Sequence, residues 1–243
     1  MLARDSILRR LPAELNPKQA LFLDGIRHAV EIADLAHKRL RETLTHIATV
    51  DPNDLDLQTC TTHAFLDAWA MVDAIDRFRM LWQQLPNATP AELPPGAEPF
   101  KEVSQPFRHL RNVADHLSQR ADFVVSKGGA ALGTLTWFTG IDLTPPRGWM
   151  CTLRPGTIRQ TATQRPESVK MTVDWPTDRI YLAAGGYEAS LSAILPHIAI
   201  RIEILEKSVS EALAKLGKLN APSASDMLSK FPFQMASVQL DDA

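Results

Sequence analysis

Residues 107–120 read FRHLRNVADHLSQR, a stretch whose apolar and polar residues separate onto two sides of a helix. At about 100° per residue, the apolar positions of this stretch and its flanks fall within an arc of about 100°. These positions are Val103, Phe107, Leu110, Ala114, Leu117, Ala121 and Val124. The other side collects Arg108, His109, Arg111, Asn112, Asp115, His116 and Arg120 with two glutamines. We therefore predict an amphipathic helix with one face in the core and a largely cationic face in solvent.

Four long helices are predicted where apolar residues recur at steps of three and four. Their expected ranges are about 17–48, 57–85, 99–126 and 187–216. The first begins after Asn16, which can cap it, with Pro17 at the first helical position. Gly185 and Gly186 are expected to open the fourth helix, and Gly217 to end it. Four such helices predict a four-helix bundle.

The stretch between the third and fourth helices, about 130–185, has strand character instead. Residues 132–139, 149–153, 169–173 and 180–182 are rich in β-forming types. We predict three or four short antiparallel strands there. The predicted fold class is therefore mainly α, a four-helix bundle with a small antiparallel β-insertion, in a single domain over residues 1–243.

The C-terminal tail, residues 218–243, shows little periodicity, which predicts a flexible segment. Alternatively, the tail lies over the body through its apolar residues Met227, Leu228, Phe231 and Phe233. The two interpretations differ in whether those side chains are exposed.

Composition excludes several classes of protein. The net charge is -2 and the pI about 6.4, so RNA contact would need a local basic patch rather than a generally basic chain. No apolar run approaches the length of a transmembrane helix, and charges interrupt the N-terminus, so we expect a cytoplasmic protein without membrane contact. Cys60 and Cys151 are expected to be free thiols, with a disulfide as the alternative.

The motifs of several common enzyme and cofactor-binding classes do not occur. The chain has no Walker loop, no GxGxxG after a strand, no GxSxG and no HExxH, and no helix offers the ExxH pairs of a di-iron site. Cysteine and histidine spacing does not suggest zinc. No metal and no other cofactor is therefore expected. What remains is Arg111-Asn112-x-x-x-His116 on the polar side of the predicted helix.

This RNxxxH pattern resembles the signature of the HEPN superfamily, in which an Arg is followed by a polar residue, often Asn, and then by a His. Arg111, Asn112 and His116 match the signature at its shortest spacing. The neighbouring text LRNVADHL, and DAIDRFRMLW in the preceding helix, also resemble bacterial HEPN-like proteins. The resemblance covers about 17–126 and 187–217 and leaves out the β-insertion. Arg41 and His46 share the spacing, but an acidic residue follows that arginine and would oppose a phosphate.

The resemblance implies a metal-independent endoribonuclease of a toxin–antitoxin or phage-defence system, in which the ribose 2′-OH attacks the adjacent phosphate. His116 would transfer the proton, since imidazole titrates near neutrality, and Arg111 would hold the phosphate. Asn112, Arg108 and Asp115 would support them. Because Arg111 and His116 lie about 140° apart on one helix, the site would form in a homodimer joined through this helix, as in HEPN proteins. The implied partners are RNA, a second copy and an antitoxin or other neighbouring-gene protein, and no DNA.

Structural roles for the same residues are the alternative. Arg111 would pair with Asp115, four residues on, and His116 would merely end a polar face. The chain would then be a catalytically inactive HEPN-like helical bundle that binds a protein, nucleotide or RNA partner, with the β-insertion as recognition surface. The aspartates of the second helix are expected on a solvated face, with Asp73 paired to Arg77, unless one of them orients a group of the site.

Overall fold

The computed structural model describes residues 1–85, 99–119, 121–126, 129–156, 174–224 and 226–232. After a short 3-10 helix at Ile7–Arg9, its helices are α1 (Pro17–Thr49), α2 (Leu57–Gln83), α3 (Phe100–Val103), α4 (Gln105–Asp115), α5 (Ala121–Ser126) and α6 (Ile194–Lys215). Its strands are β1 (Thr134–Leu143), β2 (Pro146–Leu153), β3 (Thr177–Ala184) and β4 (Tyr187–Ser190). None of the described helices is long and apolar enough to cross a membrane. The predicted strand at 169–173, Arg120 and Phe233 lie outside the described residues.

α1 and α2 form an antiparallel pair that supplies much of the core. Asn16 and Asp56 cap the two helices, because each side chain accepts a hydrogen bond of 3.0 Å from a backbone N–H of the first turn. The helices approach closely at Gly25, where a Cβ atom would lie 2.7 Å from Cδ1 of Leu81. The buried apolar residues are Leu23, Ile26, Val30, Leu40 and Leu44 of α1 and Phe65, Met71, Val72, Ile75 and Phe78 of α2.

The four strands form an antiparallel sheet in the order β2-β1-β3-β4. Side chains alternate between more and less buried positions along β1, as expected for a strand with one face on the core. Leu135 and Trp137 of β1, with Ile180 and Leu182 of β3, belong to the same apolar core as α1 and α2. The sheet is therefore part of the main core rather than an addition to it.

The predicted four-helix bundle with a β-insertion is wrong, because the described fold is mixed α and β. α1 packs against α2 and also against β1 and β3, while α4 packs against α2, β3 and β4. The sheet thus covers helix faces that a bundle would cover with other helices. An apolar seam in a sequence shows that a helix face is buried, but it does not show whether a helix or a sheet buries it.

The predicted third helix, about 99–126, is divided into α3, α4 and α5. The chain leaves the helical conformation at His116, whose φ and ψ are -117° and 24°. The turn between β3 and β4 lies beside this break: a Cβ atom on Gly185 would come within 2.8 Å of the Val113 methyl groups. A Cβ atom on Gly186 would lie 3.8 Å from the Phe123 ring. The chain therefore bends around a hairpin turn that the helical periodicity does not reveal.

The predicted opening of the fourth helix at Gly185 and Gly186 is also wrong. Both glycines have positive φ values, 55° and 81°, which suit a tight hairpin turn rather than a helix. Tyr187–Ser190 form β4, in which Tyr187 pairs with Ala184. The last helix, α6, begins only at Ile194. A glycine pair marks a backbone turn, and here the turn joins two strands.

The described part of the C-terminal tail is anchored to the N-terminal residues. The N–H of Ala224 donates to the carbonyl of Leu11 at 2.8 Å, and Asp226 accepts from Nη2 of Arg27 at 2.6 Å. Beyond this anchor Met227, Leu228 and Phe231 are 90%, 79% and 84% exposed. Within the described residues, the tail is thus attached as far as Asp226 and then leaves its apolar side chains in solvent.

Candidate functional site

Arg111, the central residue of the sequence pattern, is held by three carboxylates. Its Nη1 donates to Oδ2 of Asp76 at 3.0 Å, its Nη2 lies 3.5 Å from Oδ1 of Asp73, and its Nε lies 3.8 Å from Oδ2 of Asp115. The hydrogen bond to Asp76 is the largest cause that raises the pKa of Arg111 above its usual value. The guanidinium charge is therefore balanced within the chain.

Asp76 lies at the centre of this arrangement, although a solvated position was predicted for it, with the orientation of a group of the site as the alternative. Its residue surface is 3% exposed, it also accepts a hydrogen bond from Nε of Arg79 at 2.8 Å, and its Oδ1 lies 2.7 Å from Nη2 of Arg79 in an ion pair. A buried carboxylate is stable only when it is paired and hydrogen-bonded, and two arginines provide that here. We call Asp73, Asp76, Arg79, Arg111 and Asp115 the charged seam between α2 and α4. Asp73 also pairs with Arg77 at 3.0 Å, as the spacing predicted.

The other residues of the predicted site do not converge on Arg111. His116 is the exposed residue that ends α4, and its backbone N–H donates to the carbonyl of Ala114. None of the contacts within the described residues joins His116 to Arg111. Arg108 is exposed and Asn112 half-buried, both on the outer side of α4. The structure thus brings Asp115 to Arg111 but leaves Arg108, Asn112 and His116 apart from it.

A ring contact on the same face was not predicted from the sequence. His109 stacks on Tyr187 of β4, with ring centroids 4.6 Å apart and planes inclined by 13°. Nε2 of His109 also lies 3.4 Å from Nε2 of Gln105. No local signal could have revealed this pair, because it depends on the hairpin that brings β4 against α4.

Arg41 and His46 have the same spacing as Arg111 and His116, but Arg41 makes structural contacts while His46 is exposed. Arg41 donates through Nε to the backbone carbonyl of Thr177 and through Nη2 to that of Trp175, at 2.6 Å for the latter. His46 is exposed near the end of α1. Arg41 therefore fastens the start of β3 to α1 and is used structurally.

An open apolar groove of about 1060 Å³ lies at the other end of α2. It is lined by Leu57, Gln58, Thr61, Thr62, Phe65, Leu66, Trp69 and Ala70 of α2 and by Leu132, Leu153, Arg154 and Pro155 at one end of the sheet. Nε1 of Trp69 donates to the carbonyl of Leu132 at 3.1 Å and ties the two walls together. Leu57, Leu66 and Leu132 are 49%, 58% and 44% exposed. We call this feature the α2–β2 groove.

The edge strand β2 borders the groove. β2 pairs with β1 on one side, and its other edge has no strand partner among the described residues. Trp149 and Met150 of this strand are 58% and 39% exposed. Leu153, the last residue of β2, lines the groove. An unpaired strand edge offers backbone donors and acceptors to another extended chain, and β2 meets the groove at Leu153.

A buried carboxylate lies on the side of α2 that faces α1, at the level of the groove. The Asp67 side chain is 5% exposed, and its Oδ2 lies 3.3 Å from Nε of Arg39 without accepting a hydrogen bond of good geometry. Burial raises the pKa of Asp67, while the charges of Arg39 and His63 oppose that rise. A solvated position was predicted for this residue, and the structure instead places it against α1.

The two cysteines and the metal-ligating residue types bear on whether the described residues form the arrangements that nucleophilic or metal sites need. Cys60 and Cys151 are free, and burial raises the pKa of the Cys151 thiol to about 11. A thiol with a raised pKa is a poor nucleophile at neutral pH. Within the described ranges, no group of three or more His, Cys, Asp and Glu residues is arranged to hold a metal ion.

The fold and surfaces define a mixed α/β chain in which an antiparallel helix pair packs on a four-stranded antiparallel sheet. Charged and apolar surfaces occupy different halves of α2. Comparison with protein-family models, with curated proteins and with solved structures gives no match.

Proposed function

We propose that this chain is a binding protein that takes an extended, apolar segment of a partner protein into the α2–β2 groove. The observation that carries the proposal is the apolar groove beside a strand edge that has no described partner. Extended peptides commonly bind by adding a strand to such an edge while alternate side chains enter a neighbouring pocket. Apolar concave surfaces of this kind are the usual first candidates for binding sites.

The contacts within the charged seam favour a binding function over RNA cleavage by a single chain. To hold a phosphate as the sequence pattern implied, Arg111 would have to give up Asp76, which lies 3.0 Å away and is buried. A phosphate would also approach the carboxylates of Asp73 and Asp115, which repel it. These costs favour a structural role for Arg111 and the catalytically inactive alternative.

A peptide selection tests the proposed function. A phage-displayed library of short peptides is selected against the full chain, and enriched peptides are measured by fluorescence anisotropy. Leu66→Glu places a charge in the groove and should weaken binding by at least about tenfold, because an ion would have to be desolvated in the complex. Leu21→Glu is the matched control, since Leu21 is 68% exposed on α1, outside the groove. Failure to enrich any peptide, or an equal loss in both variants, would contradict the proposal.

A metal-independent endoribonuclease that acts as a homodimer through α4 is the second candidate. It is favoured by the exposure of Arg108 and His116 on the outer side of α4, where a second copy or an RNA could reach them. In that case the protein would be a cytoplasmic toxin or phage-defence effector with RNA as its substrate, and an antitoxin would be its further partner.

Induced expression separates this second candidate from the first. Wild type is compared with Arg108→Ala, Arg111→Ala and His116→Ala for growth and for integrity of total RNA. Cleavage that His116→Ala abolishes, in a variant that keeps its fold, would favour the nuclease. Equal growth with intact RNA in all four strains would exclude it and leave the binding protein.

A further inference from the structure

We propose that the C-terminal segment of this chain, residues 231–240, adds as a strand to the edge of β2 that has no strand partner among the described residues, in a second copy. The exchange is reciprocal, so that two copies form a closed dimer in which each α2–β2 groove receives the tail of the other. The inference rests on the proposed function of the groove and names its first ligand. Partner binding would then require release of the tail.

The tail is presented to solvent in a form that suits capture by another molecule. It is fastened to its own chain as far as Asp226, whose carboxylate pairs with Arg27 at 2.6 Å. The next apolar side chains, Met227, Leu228 and Phe231, are each at least 79% exposed. Exposed apolar side chains in a run mark an interaction segment more often than isolated ones do.

The sequence of the segment has the pattern of a strand. In residues 231–240, FPFQMASVQL, Val238 and Leu240 would lie on one face of a strand and Phe231, Phe233 and Met235 on the other, where apolar residues occupy every second position from 231 to 235. Such alternation is typical of a strand with one apolar face. Pro232 is compatible with an edge strand when its nitrogen faces away from the sheet. The edge of β2 thus lacks a strand partner among the described residues, and the short stretch 231–235 has a periodicity that suits a strand.

The pairing of β2 defines where the side chains of an added strand would lie. Cys151 and Leu153 are paired with Trp137 and Leu135, which are buried, so these side chains share the face that packs on the helices. A strand laid along the open edge would turn every second side chain toward that same layer. At the end marked by Leu153, those side chains would enter the α2–β2 groove.

A second copy fits the position of the tail better than the same chain does. In the antiparallel pair, Gly25 of α1 lies opposite Leu81 of α2, and Arg39 of α1 lies opposite Asp67 of α2. Arg27 of α1 is therefore at the level of Arg79 of α2. That level is about 20 Å along α2 from Leu66 in the groove, at 1.5 Å per residue. The described part of the tail leaves its apolar side chains in solvent and does not pack them on its own chain. Exchange between two copies also closes the assembly, as most homo-oligomers do.

The mode of binding is tested with a labelled synthetic peptide of residues 229–240, added to the full chain carrying Phe231→Ser and Phe233→Ser. Two N-methylated peptides are compared with it. One is methylated at Phe233, Met235 and Ser237, and the other at Gln234, Ala236 and Val238. In an added strand, alternate N–H groups face the receiving edge, so one set should lose affinity by more than about tenfold and the other should keep it. No binding of the parent peptide, or equal behaviour of both methylated peptides, would overturn the proposal.

The exchange between copies is tested by analytical ultracentrifugation of the full chain at micromolar concentration. Wild type should sediment as a dimer and the Phe231→Ser, Phe233→Ser variant as a monomer. A variant with Leu21→Ser and Leu219→Ser, two exposed leucines outside the segment, is the matched control and should remain dimeric. A dimer that persists without Phe231 and Phe233, or a monomeric wild type, would overturn it. A monomeric wild type that accepts the peptide only after the Phe substitutions would place the tail on its own chain.

The outcome for the tail can be distinguished from the outcome for the groove. If library peptides bind in a manner that depends on Leu66 while the tail peptide does not bind, the proposed function stands and the exchange fails. If neither the library peptides nor the tail peptide binds, the proposed function and the exchange of tails both fail. If the tail peptide competes with library peptides, both are supported.

Discussion

The two halves of α2 carry surfaces of opposite chemistry. In the C-terminal half, the charged seam pairs every one of its ionised side chains with another within the chain, and Asp76 is shared by two arginines. In the N-terminal half, the α2–β2 groove leaves Leu57 and Leu66 about half exposed beside an open strand edge. The half of α2 that looks most reactive in the sequence therefore has its charges paired within the chain. The half that looks like ordinary core leaves apolar side chains exposed.

This difference has a general physical basis. A cationic side chain on a helix is often neutralised by acids on another helix, so the charge of one helical face does not measure what a ligand meets. Apolar surface left open to water is costly and is retained where something covers it. On α2, the exposed apolar side chains of the groove are therefore the better candidates for contact with a partner than the charged seam.

The largest expected effect is on the charged seam. Arg111→Ala removes one of the two arginines that pair with buried Asp76 and should lower the free energy of unfolding by about 2 kcal/mol. The loss is smaller than for a buried carboxylate without any partner, because Arg79 still pairs with Asp76. Urea unfolding followed by circular dichroism measures it. Arg108→Ala on exposed Arg108 is the control and should change stability by less than about 0.5 kcal/mol. Equal stability of Arg111→Ala and wild type would show that the seam is not structural.

A smaller effect is expected at Asp67, on the side of α2 that faces α1. Burial raises its folded-state pKa, so the stability linked to its protonated form is fully present below the ordinary pKa of an aspartic acid and is lost as pH rises through the raised value. Asp67→Asn should therefore be more stable than wild type near neutral pH. The difference should shrink toward zero as the pH falls below the ordinary value.

Urea unfolding of the Asp67→Asn variant and wild type across this pH range checks the sign. Asp54→Asn, at an exposed turn position, is the control and should follow wild type throughout. A variant that is less stable at neutral pH would mean that the contact with Arg39 outweighs the cost of burial.

The smallest expected effect on stability is in the groove. Leu66→Glu changes a side chain that is 58% exposed and should alter the free energy of unfolding by less than about 0.5 kcal/mol, even as it weakens peptide binding. Thermal unfolding and anisotropy on the same preparation separate the two readouts. A large loss of stability would show that Leu66 belongs to the core, and the contrast between the two halves of α2 would disappear.

Sequence patterns located much of the secondary structure and little of the arrangement. The capping residue Asn16 and the apolar periodicity predicted a first helix at about 17–48, and α1 is Pro17–Thr49. The same reasoning failed at Gly185, because two glycines fit a hairpin turn as well as a helix boundary. It failed at His116 because the helix ends where the hairpin turn packs, which is a tertiary contact.

The candidate site shows the same division. The spacing of Arg111 and Asp115 predicted their contact, yet nothing local to α4 indicates Asp76, which lies thirty-five residues earlier and holds Arg111 more closely. The groove needed both α2 and the end of β2, so no single stretch of sequence contains it. His109 and Tyr187 came together for a similar reason.

The sequence by itself determined where α1 and α2 run and that the stretch before α6 contains strands, because caps, turns and periodicity act within a few residues. Only the tertiary structure decided that a sheet packs on the helix pair together with α4. It alone decided that Arg111 is occupied by carboxylates while the apolar side of α2 near Leu66 stays open. The physical reason is that pairing of buried charges and burial of apolar faces depend on residues far apart in the chain, whereas the patterns that form a helix do not.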